Sequence, residues 1–477
     1  MLKYRILLSI FFIIGPVHAR STCNLNVGVP VQPIKKDPVK AISWWDKRLV
    51  TLQYDTLVRF GNHGEILPWL AKKWEISSDL KRLTFELRPG VSFSNGTIVN
   101  AKSVKNSLDE YFGINSVDYN RFKDIKSIKA ISEFIVEIKL KRPFLPLLFY
   151  LATPRASIFL RQGAHLYGSG PWVPSDMIIH DLKSNSWRRN KDYFKGAPIC
   201  DSLNLVLLPP KNIEKFFIEK KVDLVEYYAA ENLSQFQENS IAGNVSIKSF
   251  PSYDKAAIFF TEKNEKSNSI SERQWLARKI SAYFSKLNLD YSRCSILPVN
   301  FGNSDRKCDS FKKQEGKAPI SLELYLQDDE RYQFLIKLSK SDLELKSRFN
   351  FKLVNLEEMY AAHGNGKVSA HVETLTMQIP DPYGVLSIFV SNSRENFSKY
   401  ANPKFDSLLT SAVSESDAGK RTKLYSMAES ILLNDGIIIP LLQQRRIALI
   451  SKSLHGYATS SVGPFYASYD SISKDSD

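Results

Sequence analysis

The stretch Gly64-Glu65-Ile66-Leu67-Pro68-Trp69-Leu70-Ala71-Lys72-Lys73-Trp74-Glu75-Ile76-Ser77-Ser78-Asp79 decides how the fold is read. Apolar side chains gather around one proline and two tryptophans, and residues 77–79 supply the short polar side chains that bond their own backbone in turns. The chain reverses there. Leu83, Phe85 and Leu87 then alternate with Thr84 and Glu86, the period-two pattern of a strand with one face on a core, and Arg88-Pro89-Gly90 ends it. Asn95-Gly96 marks a tight turn after Phe93. From Asn100 the period changes: Ala101, Val104, Leu108, Tyr111 and Phe112 share one helical face.

Upstream, Lys3 and Arg5 precede an apolar run over 6–14, and Val17-His18-Ala19 supplies small residues for cleavage. This reads as a secretory signal cut after Ala19. The run is well short of the roughly 20 residues a spanning helix needs, and Gly15-Pro16 interrupts it, so no membrane insertion of the mature chain is expected. Arg20 stands three residues before Cys23, where a lipoprotein signal would carry leucine. The 477 residues are too many for one core, which predicts two or three lobes. A formal charge of +15 is scattered along the chain without an arginine-rich arm or an aromatic RNA-binding motif, so it reads as a solubilising surface and no nucleic-acid partner is expected.

Residues 24–29 read as a first strand, and Ser43-Trp44-Trp45-Asp46 precedes a helical run through Leu49, Leu52 and Leu57. Adjacent tryptophans cannot share one core face, so one of them is left for a cleft or for a seam between domains. Beyond Phe112, 125–131 and 134–140 form a hairpin. Gly168-Ser169-Gly170-Pro171-Trp172 lacks both the lysine of a phosphate loop and the spacing of a nucleophile elbow. Residues 261–273 are polar and read as a loop before a helix carrying Leu276, Ile280, Tyr283 and Leu287, and 437–442 reads as a buried strand.

Together these pieces resemble family 5 of the extracellular solute-binding proteins, the oligopeptide- and dipeptide-binding group. The carriers are Gly-Glu-Ile-x-Pro-x-Leu-Ala-x-x-Trp over 64–74, Leu-Arg-Pro-Gly-Val-x-Phe over 87–93, Asn95-Gly96-Thr97, Gly168-Ser169-Gly170-Pro171, Asn190-x-x-Tyr193-Phe194-x-Gly196-x-Pro198 and the Tyr400 to Leu409 run. The resemblance implies a mixed α/β (α+β) periplasmic-binding-protein-like fold, type II and cluster C-like: a bilobal cleft with an additional small α+β domain. It assigns 20–42, 168–251 and 453–477 to domain I, 43–167 to domain II and 252–452 to domain III. It also implies a periplasmic, monomeric receptor that encloses a small solute, most readily a peptide, and docks on the permease subunits of an ABC importer. Alternatives are a non-peptide ligand such as a metal chelate or glycoside, or a sensor without transport.

Four cysteines in an exported chain favour disulfides, and they allow three pairings. Cys294 with Cys308 would clip a polar loop, which leaves Cys23 with Cys200, beside two runs that in the family lie in the same sheet. In peptide-binding members a carboxylate just upstream of an Asp-Pro pair holds the ligand's amino group. Asp381-Pro382-Tyr383 matches that pair, and Gln378 falls where the carboxylate would stand. A neutral amide does not balance a buried ammonium, so either the register is shifted, or Asp381 substitutes, or the ligand is not an ordinary peptide with a free amino terminus; Asp381 has at least an equal reading as a turn or helix cap. The expected ligand-binding set is Trp44, Trp45, Gln378, Asp381 and Tyr383. No catalytic group, cofactor or metal is expected: His363, His371 and Glu373 flank a glycine-containing turn, but their spacing matches no usual ligand pattern.

Overall fold

The structure is a computed structural model that describes residues 23–29, 37–41, 44–112, 122–175, 186–208, 213–228, 244–250, 252–262, 269–286, 295–297, 318–319, 321–327, 332–443, 446–459 and 465–475. Three sheets carry three lobes. The first lobe is a seven-stranded sheet in the order Trp172–Pro174, Ser186–Arg189, Ser202–Leu207, Asn24–Val29, Leu224–Tyr228, Arg446–Ser451, Val245–Phe250. Its strand Asn24–Val29 runs parallel to both neighbours, with Leu25 opposite Leu203. Leu25, Val27 and Val29 are wholly buried, as a central strand requires. A disulfide joins Cys23 to Cys200 across a separation of 177 residues. The expected pairing of Cys294 with Cys308 lies outside the described residues.

The second lobe is built on the Trp69 to Phe112 region. Strands Ala71–Ile76, Arg82–Leu87, Ile135–Leu140 and Ile125–Ser132 form a four-stranded antiparallel sheet, covered by helix Ala101–Phe112. Leu83, Phe85 and Leu87 point into its core, and Ala101, Val104 and Leu108 meet them from the helix, while Tyr111 packs with Tyr54 and Phe159. Gly90 and Gly96, at φ +77° and +84°, make the turns that a side chain would strain. The Asn100 side chain accepts from the Ser103 amide at 3.0 Å and starts the helix. Trp69 and Trp74 are only half-buried: Trp74 packs against the rim of this core, and Trp69 does not join it.

The third lobe is a five-stranded sheet in the order Phe349–Val354, Leu322–Gln327, Ala370–Leu375, Lys255–Phe260, Ile438–Gln443. Helices Ile270–Lys286, Gln333–Ser341, Pro403–Ala412 and Ala418–Asn434 pack on it around one large apolar core. Two expectations are corrected here. The polar loop of 261–273 ends early because Ser269 and Glu272 cap each other's backbone and start the helix at Ile270. The third lobe does not run to 452: strand Arg446–Ser451 pairs on both edges with first-lobe strands, so the chain has already crossed back before Arg446.

Candidate functional site

The chain leaves the seven-stranded sheet after Phe250 and enters the five-stranded one at Lys255; it returns between Gln443 and Arg446. These two crossings lie side by side and are bonded to each other. Arg446 Nη2 donates to Asp254 Oδ2 at 3.2 Å, with both side chains more than nine-tenths buried. Ser252 Oγ donates to the same carboxylate at 2.7 Å, and Gln443 Nε2 donates to the Ser252 carbonyl at 2.7 Å. Tyr253 packs against both the third-lobe and the second-lobe cores. Two short adjacent crossings between two sheets give a hinge geometry.

The segment after strand Ala370–Leu375 carries three of the expected ligand-binding residues in one turn. Asp381 is 4% exposed. Its Oδ1 accepts from the Tyr383 amide at 2.8 Å, and its carbonyl accepts from the Gly384 amide. Burial pushes its carboxyl upward, opposed by the neighbouring Tyr425 hydroxyl, the Tyr383 amide and the Arg421 charge. Here it serves as a turn residue before the short helix Tyr383–Leu386. Gln378 is half-buried. Tyr383 sets its ring edge-on to Phe144 at 5.2 Å, linking the third lobe to the second. Trp45 packs half-buried against the first-lobe core. Trp44 lies at the start of helix Trp44–Gln53, and its side chain is outside the description.

One buried centre went unread in the sequence. Asp55, buried at 4% exposure, accepts from Trp69 Nε1 at 2.7 Å, Ser169 Oγ at 2.8 Å and Tyr193 Oη at 3.2 Å. Those three donors come from three separate motifs: the Gly-Glu-Ile-x-Pro-x-Leu-Ala stretch, the Gly-Ser-Gly-Pro loop and the Asn-x-x-Tyr-Phe run. Burial drives the Asp55 carboxyl upward, and the donors pull it back. The Arg59 guanidinium lies between the rings of Trp69 at 4.5 Å and Tyr466 at 4.7 Å, and the Lys195 ammonium is 4.8 Å from the Trp69 ring. Gly168 and Gly170 are required because a Cβ at either would run into the Gln53 backbone. The available signal was an acid inside the apolar run Tyr54-Asp55-Thr56-Leu57-Val58.

The histidines also meet. His363 and His371 have ring centroids 4.4 Å apart, edge to face. Among the described residues no three His, Cys, Asp or Glu side chains are placed to hold a metal ion, and no helix is long and apolar enough to cross a membrane.

Residues 65–277 match the family described as bacterial extracellular solute-binding proteins, family 5 Middle. Over 91% of this chain and 91% of the relative, the sequence is 23% identical to the probable D,D-dipeptide-binding periplasmic protein DdpA of Escherichia coli (strain K12). Among solved structures, NikA from Brucella suis in complex with Fe(III)-EDTA is similar with a TM-score of 0.80 at 18% identity, covering 95% of this chain and 100% of that one. The periplasmic binding protein DppA from Helicobacter pylori, in complex with the peptide STSA, gives a TM-score of 0.79 at 18% identity, covering 95% and 99%.

Proposed function

This chain belongs to family 5 of the bacterial extracellular solute-binding proteins, with their cluster C fold, and from that premise we propose that it encloses a short peptide between its first and third lobes. The family is one of non-catalytic solute-binding proteins working with ABC transporters, so the mechanism is capture without chemistry. The observation that supports the reading is the bonding of Ser252 and Asp254 on one crossing to Gln443 and Arg446 on the other, a geometry suited to two sheets closing on a solute. We place the working protein in the periplasm, exported by the leader 1–19, as the E. coli relative is periplasmic by name. The closed form would present both lobes to the importer's permease subunits.

A second reading has its own support. Asp381 is turned onto its own backbone, and Gln378 is neutral, so neither is shaped to balance a free ammonium. A ligand without that group, such as a blocked peptide or a metal chelate, fits this turn better. NikA with Fe(III)-EDTA shows that the same fold accommodates a chelate in another protein.

The deciding experiment is a thermal-unfolding screen of the mature chain, stripped by partial unfolding and refolding, against free-amino di- to pentapeptides, the same peptides N-acetylated, and nickel chelates. A ligand at about 100 times its Kd should add about 2.7 kcal/mol. A shift with free peptides supports peptide capture. A shift with acetylated peptides or chelates alone moves the ligand class and keeps the receptor. Gln378→Asp should then strengthen binding of free peptides; no gain removes the assignment of position 378. Silence across all three classes would count against capture itself.

A further inference from the structure

The second lobe is joined by the chain to the first lobe, yet it also grips the third. The chain enters it after helix Trp44–Gln53, whose Leu49 and Leu52 pack in the first-lobe core, and leaves it through residues 168–171. Those two ends are tied together, the Gly170 amide donating to the Gln53 carbonyl at 2.9 Å. Asp55 binds Trp69 of the second lobe and Ser169 and Tyr193 of the first to one carboxylate, and Tyr466, near the C-terminus, donates to the Ala152 carbonyl. The second lobe is therefore fastened to the first.

Its grip on the third lobe is made by residues 142–146, just past strand Ile135–Leu140. The Leu145 amide donates to the Val413 carbonyl at 3.0 Å, and Ser414 Oγ donates to the Pro143 carbonyl at 3.2 Å. Arg142 braces the segment from behind, bonding Asp124 through Nε at 2.8 Å and Nη2 at 3.0 Å. Ile379 and Val413, 0% and 2% exposed, stand on third-lobe elements but are buried in the second-lobe core and not in the large core of their own lobe. Ile379 lies between Gln378 and Asp381, and the Phe144 ring meets Tyr383, so the grip falls on the turn with the expected solute contacts. A body fastened to the first lobe and seated on the third cannot keep both contacts when those two part. The chain itself and the Asp55 centre hold the first-lobe side, so the third-lobe side must release. We propose that residues 142–146 are a latch of the closed form, which seats Ile379 and Val413, positions the 378–383 turn for the solute, and lets go on opening. This rests on the proposed closure of the first and third lobes.

The empty mature chain is enough for the test. Val413→Asp sets a carboxylate among apolar side chains while the latch is shut and releases it to water when the latch opens. The Leu145 amide, bonded across the contact, should then exchange with solvent about 100-fold faster or more, and the radius of gyration from small-angle scattering should rise. Strand Arg82–Leu87 should keep its protection, because the second lobe stays folded. Ser414→Ala removes one bond, should speed the same amide about 5-fold, and guards against misfolding of the aspartate variant. Slow exchange at Leu145 in both variants would make the second and third lobes one permanent body; the latch would be overturned, with closure elsewhere untouched. Fast exchange at an unchanged radius of gyration would mean that the first and third lobes do not part, and closure and latch would fall together.

Discussion

Arg48 and Arg446 each meet a buried carboxylate, yet the two pairs fasten different things. Arg48, on helix Trp44–Gln53, bonds Glu226 and the Phe465 carbonyl, and Tyr457 and Tyr469 both donate to Glu226 Oε1, at 2.7 and 2.8 Å. Helix, sheet and C-terminal segment of the first lobe converge on that one carboxylate. Arg446 and Asp254 instead join the two crossings, with Ser252 and Gln443 as helpers. The first network holds together parts that stay together. The second couples the two crossings between the sheets, where the proposed closure would bend the chain, so the same chemistry supports rigidity in one place and registration in the other.

The contrast is tested hardest in the first lobe. Arg48→Met leaves the Glu226 carboxylate buried without its cation and should cost about 3–5 kcal/mol in denaturant unfolding. Adding Glu226→Gln should recover a large part of that loss. If the single variant costs less than about 1 kcal/mol, the first-lobe network is not a fastening and the comparison fails. The Cys23–Cys200 bridge ties together the starting ends of the paired inner strands Asn24–Val29 and Ser202–Leu207 of the same sheet, across 177 residues. Replacing both cysteines by serine should cost about 2–5 kcal/mol, measured the same way.

Legibility followed the range of the interactions. Strand Arg82–Leu87 and helix Ala101–Phe112 were readable because their periods are local and their cores lie on adjacent elements. Trp69 and Trp74, around which the apolar side chains gather in sequence, are half-buried; Trp69 serves Asp55, together with Ser169 and Tyr193 far along the chain. Nothing local announces such a convergence. The return crossing was placed late for a similar reason. Ile438–Gln443 and Arg446–Ser451 are both apolar runs, and which sheet each joins depends on partners such as Leu224–Tyr228 and Lys255–Phe260. The Asp381 turn was readable from Asp-Pro chemistry, whereas the meeting of His363 with His371 needed the fold of helix Leu356–Gly364 onto its sheet.

At the hinge the expected effect moves from stability to geometry. Replacing both partners, Arg446→Met with Asp254→Leu, should leave unfolding stability within about 2 kcal/mol, because a buried pair is readily exchanged for apolar packing. The balance of open and closed forms should change, read as an altered radius of gyration by small-angle scattering with and without ligand. A large loss of stability with unchanged scattering would make this pair a second fastening like that of Arg48 and erase the distinction.

The smallest effect comes from the third lobe and is set by pH. His363 is held at about 4 in the folded chain, against an ordinary value near 6.5. A histidine whose folded pKa is depressed binds fewer protons folded than unfolded, so its contribution is fully present above pH 6.5 and fades as pH falls toward 4. The ring is partly exposed, so screening limits the effect to roughly 1 kcal/mol. His363→Gln should flatten this part of the profile. Hydrogen exchange at pH 7 and pH 4.5 then separates the lobes: protection should weaken first around helix Leu356–Gly364 and persist in strand Asn24–Val29. If both weaken together in the parent and in the variant, the lobes unfold as one cooperative unit, and the difference between Arg48 and Arg446 belongs to the hinge alone.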